Sequence, residues 1–193
     1  RAGSVGRAVV RNSLAAGFGG PVLPVNPRRG SVAGVLAYPD VESLPLTPEL
    51  AVVCTPAPTV PAIVEALGAR GTRGVVVFFA GFGASADESG TPLGAVLLRA
   101  ARRHGVRVLG PNCVGLIGPG AGLDASFATG RAAAGGIAFV AQSGGLCTAV
   151  LDWAQEAHVG FSAFVSLGDA LDVDAADVID HLADDPDTRA ILL

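Results

Sequence analysis

The sequence predicts an α/β fold built on a parallel sheet. Short, nearly continuous apolar runs, typical of strands covered on both faces, alternate with segments whose apolar residues recur at helical spacing. Seven runs are predicted to be strands: Pro21–Val25, Leu50–Thr55, Gly74–Phe79, Val106–Leu109, Ile137–Ala141, Phe161–Ser166 and Ala190–Leu193. Ligands of such sheets bind at the carboxyl ends of the strands, so we expect functional residues in the turns that follow them.

Helices are predicted between the strands. Each helical stripe stops at a glycine, the residue that most readily takes the left-handed conformation at a helix C-terminus. The stripes with their stops are Val5, Val9 and Leu14 before Gly17; Ile63 and Leu67 before Gly71; Leu93, Val96, Leu97 and Ala100 before Gly105; and Leu146, Val150, Trp153 and Ala157 before Gly160. A further helix runs through Ile179 and Leu182, and Asp174 is predicted to cap it.

A glycine- and alanine-rich stretch at 118–136 lacks a clear period and divides the chain into two units, 1–131 and 132–193. The second unit is shorter than the ~100 residues that a doubly wound domain usually needs. The first unit enters a glycine loop at Arg1 without a preceding strand. We therefore expect the chain to be trimmed at both ends.

Composition narrows the function classes. Of 193 residues, 50% are apolar and 16% charged, which predicts a packed core. The net charge of −4 and the lack of a dense basic run disfavour nucleic acid. No apolar run approaches the ~20 residues of a membrane span, and no signal-peptide pattern opens the chain. Three scattered cysteines, without CxxC or metal spacing, predict a reducing, cytoplasmic setting.

All thirteen basic residues are arginine. The absence of lysine excludes a Walker lysine, a Schiff base and a lysine clamp on ATP within this sequence. Any site for ATP or ADP and Mg is therefore expected outside this sequence.

The first candidate site is Gly3-Ser4-Val5-Gly6, which opens a helix. Free amides at a helix N-terminus attract phosphate, and glycine lets a ligand approach the backbone closely. The motif is weak alone, and a simple capped turn is equally consistent with it.

The next strand ends in Val25-Asn26-Pro27-Arg28, followed by Arg29. An NAD-binding fold needs an acidic residue here to hold the ribose hydroxyls. Two arginines instead favour a phosphorylated ribose, as in NADP or the 3′-phospho-ADP of coenzyme A. The alternative is a solvated loop.

Later strands of the first unit also end in stiff or glycine-rich turns. These are Cys54-Thr55-Pro56-Ala57-Pro58, Phe78-Phe79-Ala80-Gly81-Phe82-Gly83 and Gly110-Pro111-Asn112-Cys113-Val114-Gly115. Proline and glycine fix the path of the backbone as it leaves the sheet. All these turns are expected at one edge of the sheet, where a ligand would lie.

In the second unit, Gln142-Ser143-Gly144-Gly145 follows a strand and opens a helix, which predicts a second phosphate cradle or a tight strand–helix turn. Asp169, Asp172 and Asp174 lie in a later loop. Such acidic residues can form a metal site, but they more often cap helices, and no metal is predicted.

The ordered set GSVG, VNPR, TPAP, AGF and GPNCVG, followed by VAQSGG and GFSAFVSLGD, resembles ADP-forming acetyl-CoA synthetases and the α subunit of succinyl-CoA ligase. The resemblance covers essentially the whole chain. It implies a Rossmann-like, doubly wound CoA-binding domain with a parallel sheet, followed by the start of a flavodoxin-like ligase domain.

The resemblance also implies roles along a bound coenzyme A. The CoA phosphates are expected to contact Gly3, Ser4, Val5 and Gly6, and the nucleotide end is expected to contact Val25, Asn26, Pro27 and Arg28. The path of CoA along the sheet edge is expected to be lined by Thr55, Pro56, Ala57, Pro58, Ala80, Gly81 and Phe82, and its thiol end is expected near Asn112 and Cys113. The phosphate of a phosphohistidine is expected to bind Gln142, Ser143, Gly144 and Gly145. A chemical role for Cys113 competes with simple packing.

The three histidines, His104, His158 and His181, are interpreted as helix-end or surface residues. In the family that the chain resembles, the phosphorylated histidine follows a later glycine-rich segment, beyond Leu193. The chain alone is therefore expected to show no ligase turnover.

Three functions stay open. The favoured one is the CoA- and acyl-CoA-binding part of an NDP-forming acyl-CoA synthetase, with an ATP-grasp domain or subunit elsewhere and an oligomeric assembly. The alternative is a regulatory acyl-CoA-sensing region fused to the acetyltransferase domain of a bacterial protein-lysine acetyltransferase. An NADP-binding oxidoreductase ranks below both.

Overall fold

The computed structural model describes residues 3–193, so the predicted entry at Arg1 lies outside the described residues. The elements are α1 (Val5–Ala15), β1 (Ser31–Val32), β2 (Val35–Leu36), β3 (Leu50–Val53), α2 (Val60–Ala69), β4 (Gly74–Val77), α3 (Leu93–His104), β5 (Arg107–Leu109), β6 (Gly115–Gly118), β7 (Leu123–Ser126), β8 (Ala133–Ala141), α4 (Gly144–Glu156), β9 (Gly160–Ser166), α5 (Ala175–Ala183) and β10 (Ala190–Leu192). Short 3₁₀ turns cover Ala57–Thr59 and Pro119–Ala121.

The first sheet is parallel, in the order β3-β4-β5, and is covered on both faces. Alternate residues of β4 show this. Val75 and Val77 join the core that α2 and α3 contribute, whereas Val76 packs in a second core with Val9 of α1. A strand buried on both faces needs a continuous apolar run, which explains why the sequence predicted it correctly.

The second sheet has the order β10-β8-β9-β6-β7. Strands β10, β8 and β9 are parallel, but β6 is antiparallel to both β9 and β7. Helix α4 covers one face with Cys147 and Leu151 against three aromatic rings, Phe139, Phe161 and Phe164. Phe139 and Phe164 stack with ring centroids 4.7 Å apart, and Phe161 meets Phe164 edge-on.

The predicted strands pair in parallel, but the segment after β5 adds two antiparallel strands. Strands β6 and β7 were not predicted, because their small residues give no period. Their pairing depends on Gly115, whose φ is +118° and where a Cβ would overlap the carbonyl oxygen of Ala125. The hairpin formed by β1 and β2 was also not predicted.

The predicted strand Pro21–Val25 is not a strand in the structure. Within this segment only Val25 pairs, through one parallel bridge to Tyr38. Leu23 still packs against the first core. The apolar pattern thus predicted burial correctly, but ladder pairing requires a partner strand that local sequence does not reveal.

The predicted helices are confirmed, and so are three of their four stops. Gly17, Gly71 and Gly105 have positive φ values of 82°, 98° and 68°. The stop at Gly160 was wrong, because His158 takes the left-handed conformation with φ 56°. Gly160 instead opens β9 beside β8.

Asp174 caps α5 as predicted. Its carboxylate accepts hydrogen bonds from the backbone N–H groups of Ala176 and Asp177, and Asp177 completes a capping box by accepting from Asp174 N–H.

The two sheets share a close interface through α1. The Asn12 side chain donates hydrogen bonds to the carbonyl oxygens of Ser126 and Ala128, at 3.0 and 2.9 Å. Strands β6 and β7 precede residue 131 yet belong to the second sheet. The boundary at residue 131 stays a prediction. Among residues 3–193, no helix is long and apolar enough to cross a membrane.

Gly115→Ala should destabilise the fold, whereas Gly118→Ala in the same strand should not. At Gly115 a side chain meets both an unfavourable φ and a carbonyl oxygen, so the free energy of unfolding should fall by at least ~2 kcal/mol. A Cβ at Gly118 lies 3.9 Å from that of Leu123, an ordinary contact. Urea titration followed by circular dichroism measures both variants. Equal stability of the two would contradict the assigned pairing of β6 with β7.

Candidate functional site

Four of the turns predicted to hold the ligand lie at one edge of the first sheet. Val53 pairs with Val77 and Val76 with Leu109, so the three strands end in register at this edge. The N-terminus of α1 reaches the same edge, since a Cβ on Gly6 would lie 3.6 Å from the Cβ of Cys54. The fold therefore brings the Gly3–Gly6 turn beside the turn that follows β3.

The N-terminal turn of α1 is open to a ligand. Ser4 occupies the N-cap position, but its side chain makes no capping hydrogen bond. Among residues 3–193, a Cβ on Gly3 would meet nothing within 4 Å. The hydroxyl of Ser4 and the free N–H groups of the first turn remain as donors for an anion.

The second predicted cradle, at the start of α4, is built differently. The Ser143 hydroxyl accepts a hydrogen bond from Leu146 N–H at 3.3 Å and so caps the helix. A Cβ on Gly144 would lie 3.1 Å from a methyl of Val114, which requires a small residue there. A Cβ on Gly145 would find only the Ser143 hydroxyl, at 3.9 Å. Packing therefore does not explain Gly145, which leaves its backbone open to a ligand.

A cavity of about 380 Å³ unites the thiol-end residues with this cradle. Its lining residues are Phe78, Asn112, Cys113, Val114, Phe127, Gln142, Ser143, Gly144 and Gly145. The rings of Phe78 and Phe127 form one wall, edge to face with centroids 5.0 Å apart. Phe127 was not predicted, because it lies in the stretch that shows no period.

The remaining predicted residues lie outside this cavity. Gly81 lies beside Ala57, with 3.9 Å between a Cβ on the glycine and that of the alanine. Ala57 and Phe82 are buried, at 7% and 2% exposure, and pack in the core beneath these turns. Arg28 and Arg29 are exposed, and no side-chain hydrogen bond or ion pair engages them within residues 3–193.

Comparison with known proteins identifies the family. The model of the CoA binding domain family matches residues 1–119, more than half of the chain. The chain belongs to this family. Residues 134–193 match a second model, the succinyl-CoA ligase like flavodoxin domain, in the order that the sequence predicted.

Curated relatives of this CoA-binding chain include two archaeal ligases. It is 38% identical over 191 residues to the ADP-forming acetate–CoA ligase I of Archaeoglobus fulgidus, covering 99% of the chain and 27% of that protein. It is 39% identical over 175 residues to the α subunit of ADP-forming acetate–CoA ligase II of Pyrococcus furiosus, covering 91% of the chain and 38% of that subunit. The chain thus spans well under half the length of these relatives.

Solved structures show the same fold. The dinucleotide-forming acetyl-coenzyme A synthetase 1 of Ca. Korarchaeum cryptofilum, in complex with phosphate and ADP, superimposes with a TM-score of 0.90 at 34% identity, over 98% of this chain and 40% of that one. A protein of Pyrococcus horikoshii OT3 superimposes with a TM-score of 0.91 at 36% identity, over 99% of this chain and 43% of that one. The α/β prediction, with a Rossmann-like unit before a flavodoxin-like one, is confirmed.

Cys113 lines the cavity of this CoA-binding chain as an unreactive thiol. The residue is 2% exposed, and its Sγ donates to the carbonyl oxygen of Val77 at 3.4 Å. Burial raises the pKa of Cys113 to about 12. A thiol that stays protonated at neutral pH is a poor nucleophile, so the site favours a packing role.

The acidic loop between β9 and α5 of the CoA-binding chain is occupied by protein contacts. Asp169 accepts from the side chain of Asn112 at 3.0 Å, and Asp172 accepts from Arg107 and from Val108 N–H at 3.0 and 2.8 Å. Asp169 and Asp172 therefore bind groups of the first unit. Of the three acidic residues, only Asp174 caps a helix.

Thiol reagents should label Cys113 at pH 8 at least about a hundredfold more slowly in the folded CoA-binding chain than in urea, because the raised pKa suppresses the thiolate. Iodoacetamide labelling, mapped by mass spectrometry over time, measures this rate. The unfolded chain serves as the control in which all three cysteines react. Native labelling of Cys113 as fast as free cysteine would contradict the buried, protonated thiol.

Proposed function

We propose that the chain is the CoA- and acyl-CoA-binding part of an NDP-forming acyl-CoA synthetase, which interconverts acid, CoA and ATP with acyl-CoA, ADP and phosphate. The observation that carries the proposal is the single cavity that joins Asn112 and Cys113 to the cradle at Gln142–Gly145. Thioester synthesis from an acyl phosphate needs the thiol and the departing phosphate in one place.

The proposed step in this cavity is acyl transfer. The sulfur of CoA attacks the carbonyl carbon of the acyl phosphate. The bond between this carbon and the bridging oxygen breaks, and inorganic phosphate leaves with that oxygen and the bonding electrons. The thiol proton passes to phosphate or solvent. The first-turn amides of α4 are proposed to face the leaving phosphate, where they stabilise the charge that it gains.

The nucleotide end of CoA is assigned to the turn that follows Val25. Arg28 and Arg29 are exposed beside the Val25 turn and are proposed to contact the 3′-phosphate. The open first turn of α1, with its uncapped Ser4, is proposed to hold the diphosphate. Thr55, Pro56, Pro58 and Ala80 then line the path between the two ends.

The phosphohistidine and the ATP site are proposed to lie outside this chain. Within residues 3–193, His104 pairs with Glu65 at 2.9 Å, His158 follows α4 in the left-handed conformation, and His181 lies within α5. None of the three lines the cavity. The Pyrococcus furiosus relatives are named as α subunits, which supports an ATP-grasp partner subunit and an oligomeric assembly.

The regulatory alternative has no observation in its favour. The relatives found by comparison include acetate–CoA and 4-hydroxybutyrate–CoA ligases and a feruloyl-CoA synthase, which support a ligase rather than a region fused to an acetyltransferase. The exposed arginines disfavour NAD but fit NADP as well as CoA, so it is the family match and the ligase relatives that favour CoA over an NADP-binding oxidoreductase. Three free cysteines support a cytoplasmic setting.

CoA should bind more tightly than dephospho-CoA, and Arg28→Ala should reduce this preference. A charge-assisted contact to the 3′-phosphate predicts about tenfold weaker CoA binding in the variant. Isothermal titration of the chain with both ligands and with NAD measures the difference. Arg102→Ala, an exposed change in the last turn of α3, is the matched control. Equal affinity of the unmodified chain for CoA and dephospho-CoA would refute the assignment.

Gly145→Ala should weaken inorganic phosphate binding about threefold without affecting stability. The new methyl points into open space, so it blocks approach to the first-turn amides of α4 but clashes with nothing. Phosphate titration followed by amide shifts of residues 143–146 measures the effect. Gly19→Ala, at another glycine with nothing near its Cβ, is the control. Unchanged phosphate affinity in Gly145→Ala would show that the cradle is only a turn.

A further inference from the structure

The turn that carries Asn112 is held by a second turn, which follows β9. Asp169 N–H donates to the carbonyl oxygen of Pro111 at 2.8 Å, and Leu171 N–H donates to that of Gly110 at 3.0 Å. The two turns approach so closely that a Cβ on Gly168 would overlap the carbonyl oxygen of Pro111. Backbone contacts therefore place the turn without help from the Asp169 side chain.

The side chain of Asp169 instead contacts the side-chain amide of Asn112. Asn112 has a left-handed backbone with φ 59°, and its Nδ2 donates to the Asp169 carboxylate at 3.0 Å. An ionised carboxylate only accepts hydrogen bonds, so the amide must turn its NH₂ group toward Asp169. The flipped amide would bring two oxygens together. The side-chain oxygen of Asn112, Oδ1, is thus directed away from Asp169.

Asp169 lies outside the cavity that Asn112 lines. It borders a second cavity of about 300 Å³, together with Pro111 and Leu171. The carboxylate therefore stands behind Asn112 and is absent from the lining of the first cavity. Any effect of Asp169 on a ligand in the first cavity must pass through the Asn112 amide.

We infer that Asp169 is a positioning residue for the thiol end of CoA. It fixes the Asn112 amide so that its carbonyl oxygen accepts a hydrogen bond from a donor of the ligand, either the thiol or the terminal amide N–H of the pantetheine arm. This inference rests on the proposed CoA site. With the amide held in this way, the thiol end of the site selects ligands that present a hydrogen-bond donor to Asn112. The sequence motif of the turn does not predict this selectivity.

The test compares CoA with adenosine 3′,5′-bisphosphate, which lacks the pantetheine arm and the thiol. Asp169→Ala should weaken CoA about fivefold and leave the bisphosphate unchanged, because the lost hydrogen bond acts only at the thiol end. Asn112→Ala should weaken CoA by a similar factor. The double variant should bind CoA no more weakly than Asn112→Ala alone, because the two residues act as a unit.

Asp172→Ala is the matched control for a merely structural effect. Asp172 lies in the same loop and anchors it to the first sheet through Arg107 and Val108, but it lines neither cavity. It should leave CoA affinity unchanged. If Asp169→Ala does not fold, Asp169→Asn replaces it. That amide pairs with either orientation of Asn112, so CoA should weaken in the same direction.

The outcomes separate the two proposals. Failure of the unmodified chain to bind CoA overturns the proposed function and, with it, the role of Asp169. If the unmodified chain binds CoA and Asp169→Ala binds it equally well, only the positioning role is overturned. Equal losses in Asp169→Ala and Asp172→Ala, or equal losses for CoA and the bisphosphate, also overturn it, because they would indicate loosening of the interface.

Discussion

The close contact between the two sheets is the constraint on which the cavity depends, because its walls come from different sheets. Val114 N–H donates to the hydroxyl of Ser166 at 3.0 Å, with Ser166 fully buried. Gly168 completes the contact, since its φ of 59° and missing Cβ let the turn after β9 reach Pro111. A larger residue at Gly168 would separate the thiol-end turn from the phosphate cradle, and the single cavity would become two surfaces.

The two anion cradles use the same helix physics with different strength. Ser143 uses its hydroxyl to cap α4, whereas the side chain of Ser4 makes no capping hydrogen bond at the start of α1. No arginine or histidine is among the nine residues that line the cavity. The α4 cradle must therefore rely on backbone amides, which contribute only ~0.3–1 kcal/mol near an exposed helix end. Weak binding suits a phosphate that arrives and leaves in each proposed cycle.

The sequence predicts those parts of the fold that depend on neighbouring residues along the chain. The buried strand β4, the stop at Gly105 and the cap at Asp174 each follow from a few consecutive positions. What it does not predict depends on distant partners. Pro21–Val25 has a strand-like pattern but almost no ladder, and β6 has a ladder but little pattern.

The same distinction applies to the site. The cradle at Gln142–Gly145 and the turn at Asn112 are visible in the sequence as motifs, and the structure brings them together. Phe127 and Asp169 are not visible as site residues in the sequence. No neighbouring residue indicates that Phe127 packs against Phe78 or that Asp169 contacts Asn112, 57 residues away. Metal ligation and helix capping were the local interpretations of Asp169. Its actual partner becomes evident only when the two turns meet.

The protonated state of Cys113 bears on selectivity in the proposed reaction. An acyl phosphate is attacked by any thiolate within reach, so a reactive cysteine beside the CoA thiol would compete for the acyl group. Burial raises the pKa of Cys113 to about 12, so the thiol stays protonated at neutral pH. Its sulfur also faces the backbone oxygen of Val77 rather than open space. The burial of Cys113 is thus consistent with the thiol of CoA as the proposed nucleophile.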